Sequence, residues 1–168
     1  MEARADSPRI AVIGMGNLLM TDDGVGVHAL HRLQEGCSNE TVRWVDGGTD
    51  AWGALHAAQG CRALLILDAV RGRHPPGTVY RLSLDELRAR TQALSLHEVS
   101  LVHAIGLQDA LGEGFDAVRI VGMEPERIEW GIGLSEPCSR AMPQMLEAAR
   151  SEIGELKEVE TTEGAQRC

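Results

Sequence analysis

Short apolar runs alternate with helix-forming segments along the first half of the chain. The runs cover residues 9–13, 42–45 and 63–67, and the segments between them carry apolar residues at helical spacing or are rich in alanine. An apolar run bounded by glycine or turn residues is typical of a buried strand, and strands that alternate with helices join a mainly parallel sheet. The chain therefore predicts an α/β fold with helices on both faces of one sheet.

The second half of the chain adds two further strand patterns. Residues 78–82 alternate in the manner of an edge or antiparallel strand, and residues 117–121 form the last apolar run. Helices are expected near 25–36, 51–59, 84–92 and 99–112, and from Pro137 to Ile153. The apolar residues expected on one face of the 99–112 helix are Val99, Val102, Ile105 and Leu107. We expect a disordered N-terminus at 1–8, one domain at 9–154 and an acidic flexible tail at 155–168.

Composition and charge argue against several classes of partner. The chain of 168 residues has 16 Lys and Arg against 25 Asp and Glu, a net charge of −9, and only three Trp, one Tyr and one Phe. Phosphate backbones bind basic surfaces and unpaired bases stack on aromatic side chains, so nucleic acid is not an expected partner. The longest apolar run, Ala63–Leu67, is far shorter than the roughly 20 residues that span a bilayer.

The N-terminus and the cysteines indicate a cellular location. The first residues, MEARADSP, lack the hydrophobic region of a signal peptide, so we expect a cytoplasmic protein without membrane attachment. Cys37, Cys61, Cys138 and Cys168 include no CxxC pair, which favours reduced, mostly buried thiols over a zinc site or a disulfide framework. No heptad pattern or long apolar edge stands out, and a monomer is expected.

Acidic residues follow three of the predicted parallel strands. Asp23 lies in the loop after the first strand, Asp46 ends the second and Asp68 ends the third. Ligands of open α/β sheets bind outside the carboxyl ends of the parallel strands, so these carboxylates are candidate site residues. A charge at the depth of Asp68 is unfavourable unless it is solvated, paired or bound to a cation, although a loop-capping role is an alternative.

The first loop, GMGNLLMTDDGVG at residues 14–26, differs from a dinucleotide-binding fingerprint. It lacks the third glycine at the required offset, and it has Asp22 and Asp23 where a pyrophosphate would meet the helix N-terminus. One of these acids is expected to cap the helix, and Asp22 is the better candidate for the cap. Gly24 and Gly26 each weaken a helix by roughly 1 kcal/mol relative to alanine, which indicates a close approach to the backbone there.

Among the histidines, His97 is the best candidate to join the carboxylates, although a surface or capping role is the alternative. His28 and His31 lie three apart on a helix and favour a solvated face over chelation, and His103 is expected in the core. Two carboxylates and an imidazole form a ligand set for a divalent transition-metal ion. The chain has no HExxH or GxSxG motif, so the residues alone predict only an acidic cleft that could bind metal.

Several segments, in order along residues 9–150, carry a resemblance to a known family. They read GMGNLLMTDDGVG, VDGGTD, LLILDAV followed by PPGTVYRL, SLHEVSL, and VGMEPERIEWGIGLSEP. Together they resemble the hydrogenase maturation proteases, the endopeptidases that complete NiFe-hydrogenase large subunits. The resemblance implies a three-layer α/β/α sandwich whose five-stranded, mostly parallel sheet has one antiparallel strand, in agreement with the strand patterns above.

The resemblance also implies a reaction and a site. Family members cleave a C-terminal extension from the hydrogenase large-subunit precursor after nickel insertion, and the nickel in the precursor is the recognition signal. Carried over by position, the catalytic and metal-contacting residues are Asp23, Asp68 and His97. The first of them is glutamate in some members and aspartate here.

The implied substrate cleft includes Asp46, Gly47 and Gly48 of the DGGT segment. Nickel would be presented by the precursor, and a divalent surrogate ion could fill the same site. Two other functions fit the residues: a nickel-binding assembly chaperone that leaves the precursor uncut, and a small-molecule hydrolase on a similar sheet. The mainly acidic motif loops disfavour the second, because an anion-binding crevice requires Lys or Arg.

Overall fold

The computed structural model describes residues 9–36, 41–89 and 96–165, without the side chains of 96–98 and 159–165. Five strands and five α-helices lie within those ranges. The strands are β1 (Ile10–Met15), β2 (Val42–Gly48), β3 (Ala63–Ala69), β4 (Val79–Ser83) and β5 (Ala117–Met123). The helices are α1 (Val25–Glu35), α2 (Ala51–Ala57), α3 (Leu84–Ala89), α4 (Leu96–Ala110) and α5 (Glu136–Ala165), and a 3₁₀ turn, Thr21–Gly24, precedes α1.

The five strands form one sheet in the order β2-β1-β3-β5-β4. Strands β1, β2, β3 and β5 run parallel, and β4 pairs antiparallel with β5 at the edge. In β4, Tyr80 and Leu82 are buried while Arg81 between them is exposed, as the alternating pattern predicts. The expected mostly parallel sheet with one antiparallel strand is confirmed.

The sheet separates two apolar clusters, one under each helical layer. Successive side chains of a strand point to opposite faces, so β3 contributes Leu64 and Ile66 to one cluster and Leu65 and Leu67 to the other. The first cluster packs against α2 and α4, and the second packs against α1 and α5. Strand β3 lacks alternation because both of its faces are covered.

Helix α5 is longer than the sequence pattern indicates. It has Pro137 in its first turn, as expected, but it continues to Ala165 instead of ending near residue 155. Leu156 extends the apolar stripe into the second cluster, and Glu155 pairs with Arg81 of β4 at 2.6 Å. The segment expected to be a flexible tail is therefore helical to Ala165, and residues 166–168 lie outside the described residues.

Helix α4 buries only part of the face predicted: Ile105 is buried and Val102 packs partly buried against the first cluster, as expected, but Leu107 is not buried. Leu101, Ile105 and Gln108 are buried at helical spacing, whereas Leu107 is 48% exposed. His103, expected in the core, is exposed as well. The hydrophobic pattern does not predict this arrangement, because Gln108, a polar residue, belongs to the buried face and Leu107 does not.

Other expectations concern the termini, the thiols and the membrane. Cys61 and Cys138 are buried, as expected, whereas Cys37 and Cys168 lie outside the described residues. The N-terminal residues 1–8 also lie outside them. No helix in the described ranges has the length and apolar character needed to cross a bilayer.

Candidate active site

The strand order defines where a ligand crevice forms. Strand β1 pairs with β2 on one side and β3 on the other, so the chain leaves β1 and β3 in opposite directions across the sheet. Ligands of such sheets bind at this switch point, outside the carboxyl ends of the strands. Asp23 follows β1, Asp68 is the penultimate residue of β3, and the 3₁₀ turn that contains Asp23 packs against β3.

Glycines allow the first turn of α1 to rest directly on the strand ends. A Cβ at Gly26 would overlap the carbonyl oxygen of Leu67 and lie 2.5 Å from that of Met15. A Cβ at Gly16, where φ is +119°, would overlap the carbonyl of Asp23. The expected close approach at Gly26 is confirmed, and the approaching groups are the protein's own strand carbonyls.

Asp23 is buried and oriented by its own loop. It is 8% exposed, and its Oδ2 accepts a hydrogen bond from the backbone N–H of Asn17 at 2.9 Å. The side chain of Asn17 in turn accepts from the N–H of Leu19 at 2.9 Å. Helix α1 has Gly24 as its N-cap residue and no side-chain cap, so Asp23 does not serve as the helix cap.

Asp22 does not cap α1 either, which corrects the prediction. It is fully buried, and its Oδ2 accepts the N–H groups of Glu126 at 2.9 Å and Arg127 at 3.1 Å. Its Oδ1 accepts the N–H of Ser135 at 2.7 Å. Burial alone would raise the pKa of this carboxyl, but the hydrogen bonds from Ser135, Arg127 and Glu126 bring the pKa below its ordinary value. Asp22 therefore organises a loop more than 100 residues away along the chain.

Asp68 lies near the end of β3 with 2% exposure. Its Oδ1 accepts the N–H of Ala69 at 2.8 Å, and its backbone pairs with Gly122 of β5. The strand alternation puts Asp68 on the same sheet face as Leu64 and Ile66, the face covered by α2 and α4. The carboxylate therefore lies at the buried edge of the crevice.

Asp46 lies at the end of β2 and is more exposed than the other two acids. Its Oδ2 lies 3.1 Å from Nε2 of His31, and its Oδ1 accepts the N–H of Gly48 at 3.1 Å. Asp46 and Gly48 line a cavity of about 250 Å³ together with residues 16–18 of the first loop. Gly47 is buried against Met15 instead, because its Cβ position lies 2.6 Å from the Met15 sulfur. The His31 side chain therefore contacts Asp46.

The position of the third candidate ligand, the His97 side chain, is not described. His97 belongs to the first turn of α4, and its side chain lies outside the described residues. Among the side chains that the structure does describe, no three His, Cys, Asp or Glu residues are grouped to hold a metal ion. The three-ligand set of Asp23, Asp68 and His97 remains a prediction.

The segment 126–135, to which the sequence assigned no role, is bonded to the 3₁₀ turn along its length. Thr21 donates its hydroxyl to the carbonyl of Arg127 at 2.9 Å, and its N–H to the carbonyl of Gly131 at 3.0 Å. The Thr21 backbone has φ of +47°, a region that is costly for a β-branched residue. These bonds to a second loop are what hold the turn in that conformation.

A second buried acid, Glu124, fixes the loop that follows β3. Its Oε2 accepts the N–H of Gly72 at 2.6 Å, the N–H of His74 at 3.3 Å, and the hydroxyl of Tyr80. Burial acts to raise the pKa of Glu124, but the bonds from Tyr80, Gly72 and His74 hold that pKa below its usual value. An acid directly after the last strand, in the GMEPE segment, is the sequence signal that could have identified this role.

The fold and the crevice define an α/β protein with an acidic site at the edge of its sheet. A single mixed α/β sheet carries buried acids at its switch point, and the first loop lacks the glycine pattern of a nucleotide site. The family model of the hydrogenase maturation proteases (HycI) matches residues 27–152. The chain belongs to this family, and it is accordingly a peptidase.

Individual relatives agree with the family. The chain is 31% identical over 149 residues to a hydrogenase expression/formation protein, HupD, of Rhizobium leguminosarum, covering 85% of this chain and 73% of that protein. It is 32% identical to the hydrogenase 2 maturation protease of Escherichia coli, covering 84% and 91%. Among solved structures, the hydrogenase maturating endopeptidase HybD from E. coli superposes with a TM-score of 0.80 at 30% identity, covering 88% of this chain and 93% of that one.

Proposed function

We propose that this protein is a cytoplasmic endopeptidase that removes the C-terminal extension of a NiFe-hydrogenase large-subunit precursor once nickel has been inserted. Family membership supports the peptidase activity and the class of substrate. The observation that carries the site is the pair of buried acids, Asp23 in the 3₁₀ turn that follows β1 and Asp68 near the end of the neighbouring strand β3. Such a pair supplies the hard oxygen ligands that a divalent metal ion accepts.

The nickel ion is part of the substrate in this proposal. Cysteine thiolates of the precursor would hold it, and Asp23, Asp68 and His97 would complete its coordination from the enzyme side. The precursor would then dock in one orientation only when metal is present, so that the scissile bond meets the crevice. A precursor that lacks nickel would lack these contacts and would stay uncut.

Chain topology supports His97 as the third ligand. Helix α4 leads into β5, and a helix that precedes a parallel strand runs antiparallel to it, so the first turn of α4 lies toward the carboxyl edge of the sheet. Asp68 belongs to the sheet face that α4 covers. Residue 97 therefore lies toward the same edge of the sheet as Asp68, on the side to which the Asp68 side chain belongs.

The chemical step is hydrolysis of one peptide bond. A water oxygen attacks the scissile carbonyl, the C–N bond breaks, and the leaving amine takes up a proton. A carboxylate of the crevice, Asp23 or Asp68, would accept the proton from water. Asp46, which contacts His31 and lines the adjacent cavity with Gly48, would contact the polypeptide on the β2 side.

The test compares nickel-loaded with nickel-free precursor, with product masses measured after incubation with purified protein. We expect the wild type to shorten only the nickel-loaded precursor. Asp23→Asn and His97→Ala should each reduce processing by at least about 100-fold, a usual loss for a catalytic group.

Two matched variants control for the substitutions themselves. Asp85→Asn replaces an acid whose side chain is 92% exposed on α3, and His103→Ala removes an exposed histidine from the same helix as His97. Both should process the precursor at the wild-type rate. Wild-type processing by Asp23→Asn or His97→Ala would remove that residue from the mechanism, and binding without any cut by the wild type would favour a chaperone.

A further inference from the structure

Three exposed apolar side chains lie on the two loops that are bonded to each other beside the crevice. They are Leu19, 52% exposed, Trp130, 81% exposed, and Ile132, 89% exposed, and we refer to them as the apolar rim. Trp130 and Ile132 have the highest exposure of the large apolar residues that the structure describes. Large apolar groups exposed together mark interaction sites on a protein of this kind.

Backbone hydrogen bonds join the two loops of the apolar rim into one unit. Gly131 donates its N–H to the carbonyl of Leu19 at 3.0 Å and accepts the N–H of Thr21 at 3.0 Å. Gly131 and Met20 form an isolated parallel bridge. A Cβ at Gly131 would lie 2.9 Å from the Thr21 methyl group, so the loops are in close contact at this point.

The apolar rim is also fixed to the acids of the crevice. Leu19 belongs to the loop that ends in Asp23, and the N–H of Leu19 bonds the side chain of Asn17, whose own N–H bonds Asp23. From the other side, the buried Asp22 carboxylate accepts N–H groups from both ends of the segment 126–135. A molecule that contacts the apolar rim is therefore held at a fixed position relative to Asp23.

We propose that the apolar rim binds apolar side chains of the precursor polypeptide next to the scissile bond. This inference rests on the proposed function, and continuity with the crevice identifies the occupant, because the loop that carries Leu19 leads into Asp23 and is bonded to it through Asn17. A second copy of this protein would cover the crevice if it used the same loops, so self-association through this face conflicts with access to a protein substrate. An exposed tryptophan is a side-chain type that commonly anchors such contacts.

The test is the double variant Trp130→Ser/Ile132→Ser, with Leu111→Ser as its control. Leu111 is 67% exposed and follows α4 near the start of β5, at the opposite end of the sheet from the crevice. Binding is measured by equilibrium titration with nickel-free precursor, which stays uncut and lacks the metal contacts but keeps the polypeptide that the apolar rim would contact. Processing of nickel-loaded precursor is measured in parallel to give kcat and KM.

We expect the double variant to weaken precursor binding and to raise KM by roughly 30-fold, with kcat within about twofold of wild type. Leu111→Ser should match the wild type in each measurement. Tryptophan emission of the wild type should shift to the blue on binding as Trp130 loses water, and Trp130→Ser should abolish most of that shift while Trp44 and Trp52 remain.

Three results would overturn the inference. The first is that the double variant binds the precursor as tightly as Leu111→Ser does. The second is that the double variant shows a lower kcat with an unchanged KM, which would mean that the loop only positions the acids. The third is a wild-type dimer in sedimentation that the double variant dissociates, because the occupant would then be a second copy. Failure of the wild type to cut nickel-loaded precursor would instead refute the proposed function, and the binding titration would still decide whether the apolar rim contacts the precursor.

Discussion

Replacing Asp22 by asparagine should destabilise the fold and loosen the loop that carries the apolar rim. The carboxylate accepts three backbone N–H groups, two on Oδ2 and one on Oδ1, and it is fully buried. Asparagine keeps one acceptor oxygen and turns the other into a donor. Whichever way the amide is oriented, at least one N–H loses its acceptor and faces another N–H group.

The expected cost follows from that count. One buried donor left without an acceptor costs about 1–3 kcal/mol, and the remaining bonds lose the strength that a charged acceptor gives them. We therefore expect Asp22→Asn to lower the free energy of unfolding by about 3 kcal/mol at pH 7. For a chain of this length, that corresponds to a fall in Tm of roughly 6–12 °C.

The pH dependence gives an independent check. The folded protein holds the pKa of Asp22 below its ordinary value, so this group stabilises the fold above the pKa that it has in the unfolded chain. The contribution is lost as pH falls through the lower pKa of the folded state. The difference between wild type and Asp22→Asn should thus be full at neutral pH and should shrink in acid.

Urea unfolding at pH 7 and at acidic pH measures both effects, with Asp85→Asn as the exposed control that should stay within about 0.5 kcal/mol of wild type. Limited trypsin digestion adds a local readout, because the exposed Arg127 lies in the segment that Asp22 holds. Asp22→Asn should be cut faster at Arg127. Equal stability at pH 7 and equal digestion rates would refute the role given to Asp22.

Two further predictions concern the supports of the crevice. Gly26→Ala should cost at least about 3 kcal/mol, measured by urea unfolding, because its Cβ would overlap the Leu67 carbonyl, whereas Gly106→Ala in α4, with open space around it, should be neutral or stabilising by about 0.5–1 kcal/mol. Equal effects of the two alanines would contradict the close packing of α1 on β3. Glu124→Gln should cost about 1–2 kcal/mol at pH 7 through weaker bonds from Tyr80 and the loop after β3. Because the folded protein lowers the pKa of Glu124, the cost of Glu124→Gln should fade as pH falls through that lowered pKa. A cost that stays constant with pH would contradict the role of Glu124 as an ionised hydrogen-bond acceptor.

The sheet could be predicted because its signals are local. Each strand is a short apolar run or an alternating one, and the lack of alternation in β3 indicated correctly that both of its faces are covered. Helix faces and ends were less predictable. The buried Gln108 carries no hydrophobic signal, and the continuation of α5 depends on Leu156 and on a partner, Arg81, that is distant in sequence.

The two adjacent acids show why the site itself was only partly predictable. The residues before α1 offered Asp22 and Asp23 as a cap and a site residue, and the structure gives neither of them the cap. The atoms that decide the role of Asp22 belong to residues 126, 127 and 135, and no local pattern connects those residues to position 22. Position at or after the carboxyl end of a parallel strand predicts Asp23, Asp46 and Asp68 as site residues, and their role in a shared site stays a prediction.

The adjacent acids Asp22 and Asp23 connect the loop before α1 with the segment 126–135, which is more than 100 residues away along the chain. Asp22 holds the segment with Trp130 and Ile132, and Asp23 closes the loop with Leu19, so one short turn fixes both the apolar rim and the first acid of the crevice. Loss of Asp22 should therefore affect precursor binding through the apolar rim and cleavage through Asp23 together. Loss of Trp130 and Ile132 should affect binding alone. A double-mutant cycle between Asp22→Asn and Trp130→Ser/Ile132→Ser should accordingly be non-additive in KM, because both changes act on the same contact, and additivity would mean that the two loops act independently.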